Sequence, residues 1–449
     1  MAIYSSRVLV FLWSAALIFS GLTTYGGSEP LKITWVGLIT VVSGLTLLAA
    51  PRSVLALRFS VISYLVAFIA QMPANPNHRW VLLLVALAIL AKIRQIKLVD
   101  DLARETTPSL RWITLIVYFF ATLAKLNSAY FDSQISCAAV FSNQTFALHG
   151  LESFNILLGS NTVAAISTVL EGLLPVVLFW PRSRKIAILI GIAFHIFLSL
   201  NLARYFGNFS SVMFVLLGSW LPEESCKRIS KVIADRGMPA IRVWGAALLL
   251  LFALSLTQSV SVSEFAIVRH VLFLGYALGL LFLVGFSAFG VRCPTGIGRP
   301  CIGLVVLAIL NGFTPYLGIK TRSAFTMYSN LRIEPGYSNH FFMPKSPDLL
   351  GYLSDRVEIL NTTDQGLQQR IEQSSRELPY LSLCTYLACQ DDLCRLSERS
   401  NGVVSYIRAG VKTEHALSAP LPSDCPAWML RKLLFFAPVG SGAERGCLW

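Results

Sequence analysis

The stretch WVLLLVALAILAKIRQIK, Trp80 to Lys97, sets the class of this protein. It opens with an unbroken apolar run and closes on Lys92, Arg94 and Lys97. A bilayer core needs about 20 apolar residues at a rise of about 1.5 Å each, and cationic ends belong on the cytoplasmic side. Trp80 to Lys97 therefore reads as a membrane helix with an inner C-terminal end.

The same grammar recurs along the chain. Similar runs occupy Val8 to Tyr25, Ile33 to Ala50, Val54 to Met72, Leu110 to Leu126, Thr162 to Trp180, Ile186 to Leu202, Phe206 to Leu221, Val243 to Val260, Ile267 to Phe289 and Ile302 to Leu317. The fold expected is an all-α polytopic membrane protein of about eleven spans. Composition agrees, with 55% hydrophobic residues and only 14% charged, which excludes an ordinary soluble enzyme. The first run has the look of a signal peptide, but Arg7 precedes it and no small-residue cleavage site leads into a soluble domain, so it counts as a span. Asn127 to Ser160 has room for an interfacial or re-entrant helix.

Basic loops fix the expected orientation. Lys92 to Arg111, Arg182 to Lys185, Lys227 to Arg236 and Arg292 to Arg299 all fall on one side if the spans alternate, which puts the N-terminus inside. Everything after Leu317 then lies outside. The chain divides into a helix bundle, 1–318, and an extracytoplasmic segment, 319–449, of α+β character. Strands are expected at Asp355 to Asn361 and Gly402 to Arg408, and helices at Leu378 to Cys394 and Ala427 to Phe436. The net charge of +13 is spread over inner loops rather than gathered into a water-facing patch. That distribution suits the lipid bilayer and argues against nucleic acid.

Six of the nine cysteines, Cys137, Cys384, Cys389, Cys394, Cys425 and Cys447, sit on the expected outer side. An even number in an oxidising compartment reads as disulfides of open pairing. The spacing of Cys384, Cys389 and Cys394 is not that of a C-x-x-C zinc site, and no metal is expected.

Ionisable groups inside spans are costly, and each is a functional candidate. Lys125 ends its run; its amine either snorkels to the interface or is desolvated into a usable base. Glu171 lies mid-span, too deep to snorkel, and must be protonated or paired. His195 is similarly deep, where a histidine bonded to a neighbouring helix is the commoner case. His78, in Asn75-Pro76-Asn77-His78-Arg79-Trp80, enters a span from the outer side at the level of Lys125. P-loop, dinucleotide-binding, zincin and nucleophile-elbow motifs are absent from the sequence.

Three of these elements also carry a family resemblance. The segment Val117-Tyr118-Phe119-Phe120-Ala121-Thr122-Leu123-Ala124-Lys125-Leu126 resembles the surroundings of the active lysine in the vitamin K-dependent gamma-glutamyl carboxylase family. Asn77-His78 is similar to that family's Asn-His element, and Leu170-Glu171-Gly172 through Phe194-His195 to Phe209-Ser210 and Met213 resembles the rest of its HTTM transmembrane core. Asn311 to Lys320, Met327 to Arg332 and Asn339 to Phe342 resemble bacterial members with a short outer segment, implying a multi-pass bacterial inner-membrane protein.

The resemblance implies that Lys125 deprotonates a reduced vitamin K or menaquinone-type quinone, with His78 assisting. The quinone then reacts with oxygen to an epoxide and a strong alkoxide base. In the family that base removes a γ-proton from a peptide glutamate, and carbon dioxide traps the carbanion. Glu171 and His195 stand as supporting intramembrane groups. Two departures bear on the acceptor. Ala124-Lys125 stands where the animal enzyme has paired lysines, and the outer segment, about 130 residues, is far shorter than the animal one. The competing expectation is a non-catalytic lipid or quinone carrier or interaction protein, in which Lys125 is an anchor.

Overall fold

In lipid every backbone N–H and C=O must be satisfied within its own segment, so unpunctuated apolar runs become helices. The computed structural model describes residues 3–22, 35–73, 75–153, 159–201, 205–233, 244–247, 250, 262–288, 291, 296–373, 376–388, 402–437 and 447. Its helical part runs α1 (Ile3–Gly21), α2 (Trp35–Ala49), α3 (Val54–Ala70), α4 (Asn77–Ala91), α5 (Leu102–Lys125), α6 (Cys137–Leu148), α7 (Ser160–Phe179), α8 (Arg184–Ser199), α9 (Gly207–Gly218), α10 (Glu223–Val232), α11 (Val262–Ala288) and α12 (Ile302–Phe313). Four helical segments, Ile3–Gly21, Val99–Lys125, Asn161–Phe179 and Ser263–Ser287, are long and apolar enough to cross a membrane. The apolar helices α2, α3, α4, α9 and α12 are shorter, at 10–17 residues. Of the expected span Val243 to Val260, most lies outside the described residues.

The outward faces of these helices are apolar. On α7, Ile166, Val169, Leu173 and Val176 recur at helical spacing and are each about half exposed; on α11, Val271, Leu278, Phe282 and Phe286 do the same. Water tolerates no such continuous surface, whereas lipid does. Polar and small residues turn inward instead. Gly44 lets α2 lie against α1, since a Cβ there would meet the Ser14 carbonyl oxygen at 2.8 Å.

Helix α1 is the innermost element, with Leu12, Trp13, Leu17, Ile18 and Phe19 fully buried. Its first turn is capped from afar: the Glu223 carboxylate of α10 accepts from the Tyr4 and Ser5 backbone N–H groups and from the Ser5 hydroxyl. A carboxylate belongs at a helix N-terminus, where the free N–H groups carry partial positive charge. Helix α5 crosses the middle of the bundle, touching α1, α4, α7, α9 and α12. The helix hidden between Asn127 and Ser160 is α6, which packs on α7.

After α12 the chain first seals one end of the bundle. Phe325, Met327 and Ile333 join the bundle core itself, and Asn127 pairs with His340 in an isolated antiparallel bridge. A short hairpin, β1 (Ile333–Glu334) and β2 (Tyr337–Ser338), precedes a four-stranded antiparallel sheet in the order β4-β3-β5-β6. Its strands are β3 (Arg356–Thr362), β4 (Glu377–Pro379), β5 (Val403–Arg408) and β6 (Val411–Ala416). Helices α13 (Gln365–Gln373) and α14 (Tyr380–Leu387) pack near β3, and α15 (Trp428–Leu433) packs on α14. The expected strands begin and end within one residue of β3 and β5. The helix expected over Leu378 to Cys394 is α14, which starts two residues later because Pro379 closes β4 and opens the helix; 389–394 lies outside the described residues.

Cys384 and Cys425 form a disulfide inside the small domain, and Cys137 at the start of α6 is joined to Cys447 near the chain end. Cys389 and Cys394 fall outside the described residues.

Candidate functional site

Lys125 ends α5 on the same helical face as Tyr118 and Ala121, seven and four residues back in the 3.6-residue repeat. Opposite them α7 presents Val163, Ser167 and Glu171 at intervals of four. The two faces meet around a cavity of about 80 Å³. Its remaining wall comes from α6, α8 and α9, including Phe141, Phe194, His195 and Phe209, and from Met327 and Tyr328 of the segment after α12.

The Lys125 amine lies inside, at 5% side-chain exposure, and does not reach an interface. Its Nζ donates to Glu171 Oε2 at 2.6 Å, and to the Ala121 and Met327 carbonyl oxygens at 3.4 Å each. An ammonium has three N–H groups, so its donors are all engaged. Glu171 is thus paired rather than isolated, and its 11% side-chain exposure makes the pair a buried one. Removing a charged pair from water costs several kcal/mol per ion, which close contact and extra hydrogen bonds must offset. The Tyr130 ring lies 5.8 Å from the ammonium, and its hydroxyl bonds to Ser167 Oγ at 2.6 Å.

His195 faces the same cavity from α8. Its Nε2 shares a 3.0 Å hydrogen bond with the Tyr118 hydroxyl, while Nδ1 is buried without a hydrogen-bond partner among the described residues. Phe194, Phe209 and Phe214 surround the ring. An unspent ring nitrogen in an apolar setting is a donor or acceptor held ready for something with a matching group.

The structure therefore gathers Lys125, Glu171 and His195 in one chamber. It does not add His78, which is absent from the cavity lining. His78 sits in the first turn of α4, buried at 8% exposure, with Nε2 unpartnered among the described residues. The two places are linked by one stretch of the chain after α12. Asn77 Oδ1 accepts from Phe325 N, Lys125 donates to Met327 O, and Asn127 Nδ2 donates to Ser329 O, so residues 325–329 span from the α4 turn to the end of α5.

That seal depends on a histidine outside the expected site set. His340 Nε2 donates to the Leu123 carbonyl at 2.9 Å, closing the last turn of α5, while Nδ1 accepts from the Phe342 and Met343 N–H groups. Both nitrogens are committed, and burial lowers the pKa of the ring. Beside the α4 turn Lys320 is buried with its ammonium position 3.6 Å from the Trp80 ring centroid, donating to Ser323 O at 3.1 Å. Burial lowers this amine to about 7.

Tyr118, Tyr130 and Ser167 were not among the residues singled out from sequence. A signal existed: Tyr118 and Ser167 repeat the helical phase of Lys125 and Glu171. It could not be used until α5 and α7 were known to face one another. Comparison of the chain with protein-family models, with curated proteins and with solved structures finds no match in any of the three.

Proposed function

We propose that this protein is a membrane-embedded enzyme of the vitamin K-dependent carboxylase superfamily, oxygenating a reduced quinone to its epoxide. The observation that carries the reading is the buried Lys125–Glu171 pair at 2.6 Å in an apolar chamber. Bound there, a reduced quinone would supply a phenolic proton and the electrons that reduce oxygen. The lining offers partners for the ring end of such a molecule, aromatic walls and the unpartnered Nδ1 of His195, and at about 80 Å³ the chamber would have to widen to admit the ring while an apolar tail stays in lipid.

The pairing refines the role of the lysine. An ammonium with every donor engaged cannot accept a proton, so Lys125 acts as a base only after Glu171 has taken one. Transfer along the Lys125–Glu171 hydrogen bond would give a neutral amine and a neutral carboxylic acid. The proton acceptor is then the pair. His195 and Tyr118 orient the ring hydroxyl, and the apolar wall excludes water. Coupling to γ-carboxylation of a peptide glutamate, with oxygen and carbon dioxide as co-substrates, follows from the same resemblance, with the peptide reaching the site from the outer segment.

We further read the chain as a multi-pass bacterial inner-membrane protein of about eleven spans, with the N-terminus cytoplasmic and the four-stranded sheet extracytoplasmic. The one-sided basic loops and the two disulfides support this.

A second reading has an observation in its favour. Three engaged donors on Lys125 also describe a structural staple between α5, α7 and the outer chain, as a quinone or lipid carrier would use. Epoxide formation from menaquinol by the purified protein in lipid under oxygen separates the two. Catalysis requires epoxide from the native chain and none from a folded Lys125→Arg. Arginine keeps the charge but cannot release its proton, so a staple tolerates it. Folded native protein that forms no epoxide leaves the carrier.

A further inference from the structure

The four-stranded sheet of the outer domain has two unlike edges. At one, β4 is three residues long and ends in Pro379, which has no N–H to offer. At the other, β6 runs six residues, Val411–Ala416, and among the described residues no strand pairs with its outer side. Val411 is 65% exposed, and the Lys412 and Glu414 side chains are 62% and 63% exposed.

The hairpin decides which backbone groups face outward. β5 and β6 are joined at Ala409 and Gly410, both with positive φ, as a two-residue turn requires. Arg408 pairs with Val411, Tyr406 with Thr413 and Val404 with His415. Across such a turn the flanking pair is hydrogen-bonded and every second pair after it is too. Val411, Thr413 and His415 thus spend their N–H and C=O groups on β5, while Lys412, Glu414 and Ala416 turn theirs outward.

We propose that β6 is a self-association edge, pairing antiparallel with β6 of a second copy of this chain about a two-fold axis at Thr413. That register makes Lys412 opposite the partner's Glu414, and Glu414 opposite the partner's Lys412, the hydrogen-bonded pairs of the new ladder. These are the residues whose backbone groups point outward, so backbone parity and charge order select one register. Opposite charges directly across a ladder stabilise it and like charges oppose it. The same charges discourage unrelated strands, which is how natural edges are guarded. An interface of one strand per copy is small for proteins in solution. Two copies in one bilayer share orientation and a thin layer of space, which raises their effective concentration. The interface is isologous, as two-fold pairs are.

Thr413 faces the partner's Thr413 as a non-hydrogen-bonded pair, with Cα atoms about 4.5 Å apart, within disulfide reach. The test is oxidative crosslinking of full-length Thr413→Cys in lipid, with Glu372→Cys on α13 as the collision control. The expected result is a covalent dimer well above the control. Lys412→Glu and Glu414→Lys, each added to Thr413→Cys, should lower the yield about fivefold or more; the two together swap both charges and restore it. Both variants leave the Tyr406–Thr413 pairing of the hairpin in place. A Thr413→Cys yield equal to the control, or a yield indifferent to the charge changes, overturns the proposal.

Discussion

Removing the Glu171 carboxylate while leaving Lys125 in place would strand an ammonium at 5% side-chain exposure with only two carbonyl contacts, both at 3.4 Å. Breaking one partner of a buried pair typically costs about 3–5 kcal/mol, most of it the penalty of the charge left behind. Glu171→Leu should therefore be strongly destabilising, and Lys125→Met comparably so. The double variant Lys125→Met/Glu171→Leu should not be. It removes both desolvation penalties and refills the space with apolar volume, and such replacements are neutral or stabilising by about 1–4 kcal/mol. The assay is reversible unfolding in mixed micelles, run as a double-mutant cycle, with expected coupling of about 3 kcal/mol or more. Singles that each cost under about 1 kcal/mol, or a double variant as unstable as the worse single, would refute a buried, mutually compensating pair.

Three other outcomes are expected. Opening Cys384–Cys425 with Cys384→Ser/Cys425→Ser frees a loop of sequence separation 41, a loss of about 4 kcal/mol by chain entropy, read as earlier unfolding of the outer domain by proteolysis while the bundle stays intact. The Lys320 amine, lowered by burial from its ordinary 10.5 to about 7, is unprotonated in the folded protein between those values and protonated in the unfolded chain. Stability should therefore rise with pH from about 7 to 10.5 and lose that slope in Lys320→Met; Trp80→Leu, which removes the ring that favours the ammonium, should extend the slope below pH 7. Gly312→Ala should cost about 1–3 kcal/mol in thermal unfolding, because a Cβ there would fall within the Phe120 ring where α12 crosses α5.

The contrast between Lys125 and His78 shows how far sequence reading reached. Both were legible as polar groups in or beside apolar runs, because such runs make any charge conspicuous. Their separation was not legible, since it depends on which faces of α4 and α5 turn toward the chamber. His340 shows the same limit. Its place in the sequence says nothing of α5, and only the return of the chain after α12 over the end of the bundle brings it to the Leu123 carbonyl.

Helix formation and class followed from the sequence alone, because runs near the length of a bilayer core leave the backbone no alternative to internal hydrogen bonding. The strands β3 and β5 were equally accessible, since their alternation is a local property. The tertiary structure alone decided that Lys125 finds Glu171, that Cys137 meets Cys447 and that Cys384 meets Cys425. Those pairings join residues 46, 310 and 41 positions apart, and separations of that kind are set by how helix faces and the chain after α12 pack together. No local pattern encodes them, because the energy that selects a partner appears only when both groups have been removed from solvent together.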